Sequence, residues 1–120
     1  MNQLDAEIGP FFDDAGVTKL LGGASPQDLE ARRRTDAILA LQTADGPIVY
    51  PTFQFNGNTV DERILPILRA FAGSPRWSVA LWFVTGNPDL DGLTPLAWLR
   101  ADHDPQRLRR SAQHTAREWA

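Results

Sequence analysis

Between residues 77 and 84 the chain reads Trp77-Ser78-Val79-Ala80-Leu81-Trp82-Phe83-Val84, with Ser78 alone plainly polar. The run predicts a helix over about 75–85. A surface helix keeps one polar face, whereas a helix that is apolar all round has to be covered all round. Two covers are open: the surface of a partner, or the interior of the protein's own domain. A chain of 120 residues can build a core, but a small one. The run is followed by a turn, Gly86-Asn87-Pro88-Asp89-Leu90-Asp91-Gly92, and by Thr94-Pro95, which opens another helix.

Composition narrows the possibilities. Hydrophobic residues make up 42% and charged residues 22%, the balance of a folded globular domain. There is no cysteine, so disulfides, thiol catalysis and thiolate metal sites are excluded. No apolar run approaches the roughly 18 residues of a membrane helix, and no membrane association is expected. The acidic start, Met1 to Glu7, lacks the basic and apolar regions of a secretion signal, so a cytoplasmic location is expected. A net charge of −3 argues against a protein built mainly to hold nucleic acid.

Four sites place a capping oxygen before a proline: Ser25-Pro26, Ser74-Pro75, Thr94-Pro95 and Asp104-Pro105. The side-chain oxygen accepts from an orphan amide, and proline at the first helical position gives up no needed N–H. Helices are predicted at about 13–21, 26–34, 60–72, 75–85, 95–101 and 105–118. Pro66 inside the third predicts an irregular start that becomes regular beyond it. Strands are predicted at about 37–42 and 47–55, joined at Asp45-Gly46, with Pro51 marking a short or edge strand. The expected fold is mainly α with a small β-hairpin (α+β). A winged helix-turn-helix-like module occupies 1–58 and a compact helical domain 59–120.

In the first half, a short helix ends at Gly22-Gly23 and Ser25 caps the next, which is helix-turn-helix spacing. The hairpin that follows would be a wing. The arrangement resembles the small excisionase-like and MerR-like winged modules of bacterial regulators. Gln27, Arg32, Arg33 and Arg34 are the candidate DNA contacts. Asp28 and Glu30 count against that reading, because carboxylates early in a recognition helix repel phosphates. A structural or dimer-forming module, with the arginines simply suiting the helix C-terminus, is the alternative. In Tyr50-Pro51-Thr52-Phe53-Gln54-Phe55, strand alternation assigns Phe53 and Phe55 to the core and leaves Tyr50, Thr52 and Gln54 on the other side.

In the second half, Trp82-Phe83-Val84-Thr85-Gly86-Asn87, followed by Leu90, Gly92, Pro95, Leu96, Leu99 and Arg100, resembles the C-terminal toxin-binding domain of the Xre/MbcA/ParS antitoxin family. The likeness covers about 75–118. The family usually has Pro before the Asn, where Gly86 stands here, and Gly between its last two helices, where Asp102 stands here. The resemblance implies an antitoxin of a type II toxin–antitoxin pair. It would block the active-site entrance of a RES-domain, NAD-degrading toxin and could repress its own operon. It also implies a toxin-binding set built from Trp77, Leu81, Trp82, Asn87, Leu90, Pro95 and Leu96.

The last helix carries an apolar stripe, Leu108, Ala112, Ala116 and Trp119. A basic stripe, Arg107, Arg110, His114 and Arg117, runs beside it. The basic stripe and Trp119 extend the expected toxin-binding set, with Arg117 and Trp119 nearest the toxin's nucleotide site. No catalytic constellation is visible and no cofactor or metal is expected: Asp102 and Asp104 around His103 read as a helix cap. The expected partners are the toxin, operator DNA and a second copy of the chain. The runner-up is a winged helix-turn-helix transcriptional regulator whose C-terminal helices dimerise.

Overall fold

The computed structural model describes residues 3–120, with side chains from residue 6 onward. α1 (Gln3–Ile8), β1 (Phe11–Phe12), α2 (Asp14–Leu20) and α3 (Pro26–Arg34) come first. β2 (Leu41–Gln42) and β3 (Ile48–Pro51) follow. A second small hairpin, β4 (Phe55–Asn56) and β5 (Thr59–Val60), leads into α4 (Leu65–Ala70), α5 (Arg76–Phe83), α6 (Pro95–Arg100) and α7 (Pro105–Trp119). The mainly helical fold with a small antiparallel sheet is as the sequence predicts. No helix among the described residues is long and apolar enough to cross a membrane.

The first half has the element order of a winged helix-turn-helix. β1, β3 and β2 form one antiparallel sheet in that order, with Phe11 opposite Pro51 and Leu41 opposite Val49. The order helix, strand, helix, helix, strand, strand places α2 and α3 on this sheet and leaves the β2–β3 turn as the wing. Local chemistry sets the helix ends. Asp13 Oδ1 accepts from Gly16 N–H at 2.7 Å to start α2. Gly22 and Gly23, at φ 78° and 90°, take the left-handed conformation that ends it. Ser25 and Asp28 form a reciprocal capping box at the start of α3. Val17, Leu29, Ile38, Tyr50 and Val60 make the core of this half.

The second core is larger. α5 is its centre: Val79, Ala80, Trp82 and Phe83 are buried among Ile67, Leu68 and Phe71 of the α4 segment, Leu90, and Leu108 and Ala112 of α7. The cover for the apolar helix is therefore the protein's own interior. Ile8, Leu39 and Leu41 belong to the same cluster, so apolar packing runs across residue 58 without a break. The Cα radius of gyration is 14.0 Å, close to the roughly 14 Å of one 120-residue body.

The strand and helix boundaries need correction, and Gln54 explains much of it. Its amide is fully buried: Oε1 accepts from Leu39 N–H at 2.7 Å, and Nε2 donates to Leu39 O at 2.9 Å and Pro51 O at 3.1 Å. A side chain thus occupies the hydrogen-bonding edge where 37–42 would need a partner strand, and only Leu41–Gln42 pairs. Upstream, Asp36 at φ 56° and the Ala37 N–H bond to Arg32 O belong to the end of α3. Residues 52–54 coil into a 3-10 turn, which breaks the alternation expected for 47–55. Tyr50 and Gln54 are consequently buried, while Phe53 and Phe55 pack at the margins of the two cores.

The helix expected over 60–72 begins as β5, passes through an Asp61-capped 3-10 turn and becomes α-helical at Leu65, with Pro66 in its first turn. Ser25, Thr94 and Asp104 cap as predicted. Ser74 does not, because α5 starts at Arg76 with Pro75 at its N-cap. α1, β1 and the β4–β5 hairpin carry no pattern long enough to predict.

Gln54→Leu would keep the side chain's bulk and leave the Leu39 backbone groups buried without partners. It is expected to cost about 2–4 kcal/mol, read as a lower urea midpoint at unchanged m-value. Gly86→Ala would put a Cβ 2.9 Å from Gly92 O, a backbone atom with little freedom to give. A loss of about 1–3 kcal/mol is expected in the same measurement.

Candidate nucleic-acid interface

α3 is largely polar and buries a single aliphatic side chain, Leu29. Leu29 and Arg33, one turn apart, point into the module; Gln27, Ala31 and Arg34 lie on the opposite face at 100° per residue. The inward Arg33 is held in a network. Its Nη1 donates to Tyr50 Oη at 2.8 Å and its Nη2 to Glu30 at 3.0 Å, with Asp14 at 3.8 Å. Tyr50 in turn donates to Asp14 Oδ1 at 2.5 Å. α2, α3 and β3 are pinned together by these four side chains. Burial, reinforced by the bond to Asp14, pushes the Tyr50 phenol up to about 12. The sequence suggests Arg33 as a DNA contact; the structure turns it inward, with one bond to the phenol and one to a carboxylate of its own module.

The same network changes what the two acids of α3 mean. Asp28 accepts from the Ser25 N–H in the capping box, and Glu30 pairs with Arg33. Glu30 is thus charge-paired, whereas Asp28 is hydrogen-bonded by a neutral amide and keeps its charge at the start of the helix. Gln27 and Arg34 are exposed, and Lys19 is exposed in the last turn of α2. Arg32 lies along the shallow cleft beside Leu21, Gly22 and Gly23, the turn between the two helices. Among the described residues, Lys19, Arg32 and Arg34 form no ion pair within 4.0 Å. The wing turn, Ala44-Asp45-Gly46-Pro47, is exposed and carries no base.

The residues expected to bind a toxin scatter. Trp82, Asn87, Leu90, Pro95 and Leu96 are buried in the free chain. They fill the interior, and Asn87 holds the turn: its Oδ1 accepts from Asp89 N–H at 2.9 Å and its Nδ2 donates to Ser111 Oγ at 2.9 Å. Trp77 is half-buried, edge-on to Phe11, with its indole N–H on Gln42 O at 2.8 Å. Leu81 is half-buried on the core.

Arg107 leaves the basic stripe. It donates to Asp89 O at 2.7 Å and Asp91 at 3.0 Å, and stacks 5.0 Å above Trp98. His114 pairs with Glu118 at 2.9 Å. Arg110 and Arg117 stay exposed, and Trp119 is 40% exposed with its ring 5.2 Å from Phe71.

The two positions that depart from the antitoxin pattern behave differently. Asp102 has φ 55°, the left-handed conformation that glycine adopts most freely. At Gly86 any Cβ meets Gly92 O, so a proline there is excluded and this turn is built in its own way.

The residues that sequence reasoning missed are Asp14, Tyr50 and Gln54. Tyr50 and Gln54 stand in a segment whose alternation assigned them elsewhere, and nothing in the sequence ties Asp14 to a residue 36 positions away.

No protein-family model matches the chain, and neither does any curated protein. Among solved structures, the NMR structure of Rv2175c is similar, with a TM-score of 0.75 and 25% sequence identity. The likeness covers 97% of this chain and 86% of that one, so it spans both halves of the fold.

Tyr50 is the chain's only tyrosine, so alkaline titration of phenolate absorbance reads it alone. The native midpoint is expected near 12, against about 10 in denaturant. The fold favours the neutral phenol. Its contribution is therefore constant below about pH 10 and falls as pH rises from about 10 towards 12.

Proposed function

We propose that this protein binds double-stranded DNA through its winged helix-turn-helix and acts as a transcriptional regulator. The observation that carries the reading is the outward face of α3. Gln27, Ala31 and Arg34 project there, while the two acids of the helix are engaged by a cap and by Arg33. α3 enters the major groove by its N-terminal turns. Gln27 suits the bidentate edge of adenine, Ala31 a thymine methyl, and Arg34, in the last turn, a phosphate. Lys19 and Arg32 supply phosphate contacts on either side of the helix-turn-helix turn. With a net charge of −3, long-range attraction is weak, so specific contacts have to provide most of the discrimination.

Duplexes selected from a random library, followed by fluorescence anisotropy, test this. Gln27→Ala is expected to cost about 1–3 kcal/mol on the selected site and to relax preference at one adenine. Arg34→Ala and Arg32→Ala should weaken binding, and the salt slope should be about −3 per protomer. Recovery of no enriched sequence, or equal affinity for Gln27→Ala and the parent, contradicts the proposal.

The antitoxin reading is kept as a second proposal. Asp102 in a glycine-type conformation and the exposed Arg110, Arg117 and Trp119 on α7 favour it. It predicts that co-expression relieves NAD loss caused by a RES-domain toxin, and that a Arg117→Ala/Trp119→Ala double variant does not.

A further inference from the structure

A cavity of about 340 Å³ opens where α4, α6 and α7 meet, away from α3. Its floor is apolar: Ile67, Leu99 and Leu108 are nearly fully buried side chains, and Pro66 and Pro105 form the walls. That volume lies in the range that takes a small organic molecule.

The rim carries two arginines, and they are in different states. Arg63 is fully engaged: it donates to both oxygens of Asp61, to Leu99 O at 3.0 Å and to Asp102 at 2.8 Å. Its single charge is outweighed by those two carboxylates, and it serves as a fixed wall. Arg109 lines the same mouth, is exposed, and makes no ion pair or hydrogen bond among the described residues. It is the one guanidinium of the rim whose donors are available. Beside it stand the exposed Gln106 and His103, the latter stacked 4.7 Å from Trp98.

An apolar floor with one uncompensated guanidinium at the mouth suits a molecule with an apolar body and a single acidic head. We propose that this pocket binds a small monocarboxylate with an aromatic or branched apolar body. The body would rest on Ile67, Leu99 and Leu108, with the carboxylate on Arg109 in the bidentate geometry that guanidinium favours. A dianion or a phosphate ester is less suited, since Asp61 and Asp102 together outweigh the charge of the second arginine. The inference does not depend on the DNA reading, because it uses none of the residues assigned there.

Titration of the full-length ¹⁵N-labelled protein with 4-phenylbutyrate, and separately with its neutral amide, tests it. Saturable shifts are expected at the amides of Ile67, Leu99, His103 and Gln106, with the amide compound binding about tenfold more weakly. Arg109→Ala should weaken the carboxylate about tenfold and leave the neutral amide unchanged, while Arg117→Ala should change neither. Arg109 is exposed, so its replacement does not threaten the fold. Three results overturn the proposal: no saturation by about 10 mM carboxylate; equal binding of the carboxylate and the amide compound; or full carboxylate affinity in Arg109→Ala.

Discussion

One buried amide organises the centre of this molecule. Gln54 pairs with both backbone polar groups of Leu39, taking the place of a neighbouring strand. Leu39 is thereby freed to send its side chain into the larger core, while Tyr50, four residues before Gln54, faces the smaller one. The two apolar clusters thus share a single wall. Burying an amide without partners would be costly, so the satisfied geometry admits very few alternatives. The short β2 strand, the 3-10 turn at 52–54 and the departure of the chain into β4 all follow from it.

From that wall outward, the Arg33–Tyr50–Asp14–Glu30 network fixes the rotation of α3. A helix of nine residues with a single buried aliphatic, Leu29, has little apolar surface to set its orientation. Here a buried phenol and an inward arginine do so by directional bonds. The consequence for function is specific. The outward face is selected by the polar network rather than by hydrophobic content, and Gln27, Ala31 and Arg34 are what it presents. The likeness to the NMR structure of Rv2175c spans both halves, in keeping with a fold in which the winged module and the helical remainder are one body.

Much of the frame was legible in the sequence. Ser25, Thr94 and Asp104 announce helix starts through chemistry confined to three or four residues, and the helix-turn-helix spacing follows from Gly22-Gly23 and the Ser25 cap. The apolar run at 77–84 states correctly that it needs cover, yet periodicity cannot say whose side chains supply it; Ile8 at one end of the chain and Ala112 near the other do. Arg33 and Arg34 are identical neighbours in sequence and opposite in role, because helical geometry turns one towards Tyr50 and the other to solvent. Glu30 reads as an obstacle to phosphate until its ion pair with Arg33 is seen. Gln54 was illegible for the plainest reason: a glutamine that hydrogen-bonds a backbone 15 residues away looks like any polar residue on a strand.

The central claim is that the outward face of α3 meets DNA. Amide shift mapping on the ¹⁵N-labelled protein, with a duplex from the selection, tests it most directly. The account predicts the largest changes over residues 25–35 and at the 43–47 turn, with the core amides around Val79 and Phe83 unmoved. Changes centred on Arg110 to Trp119, or none at all, would contradict it.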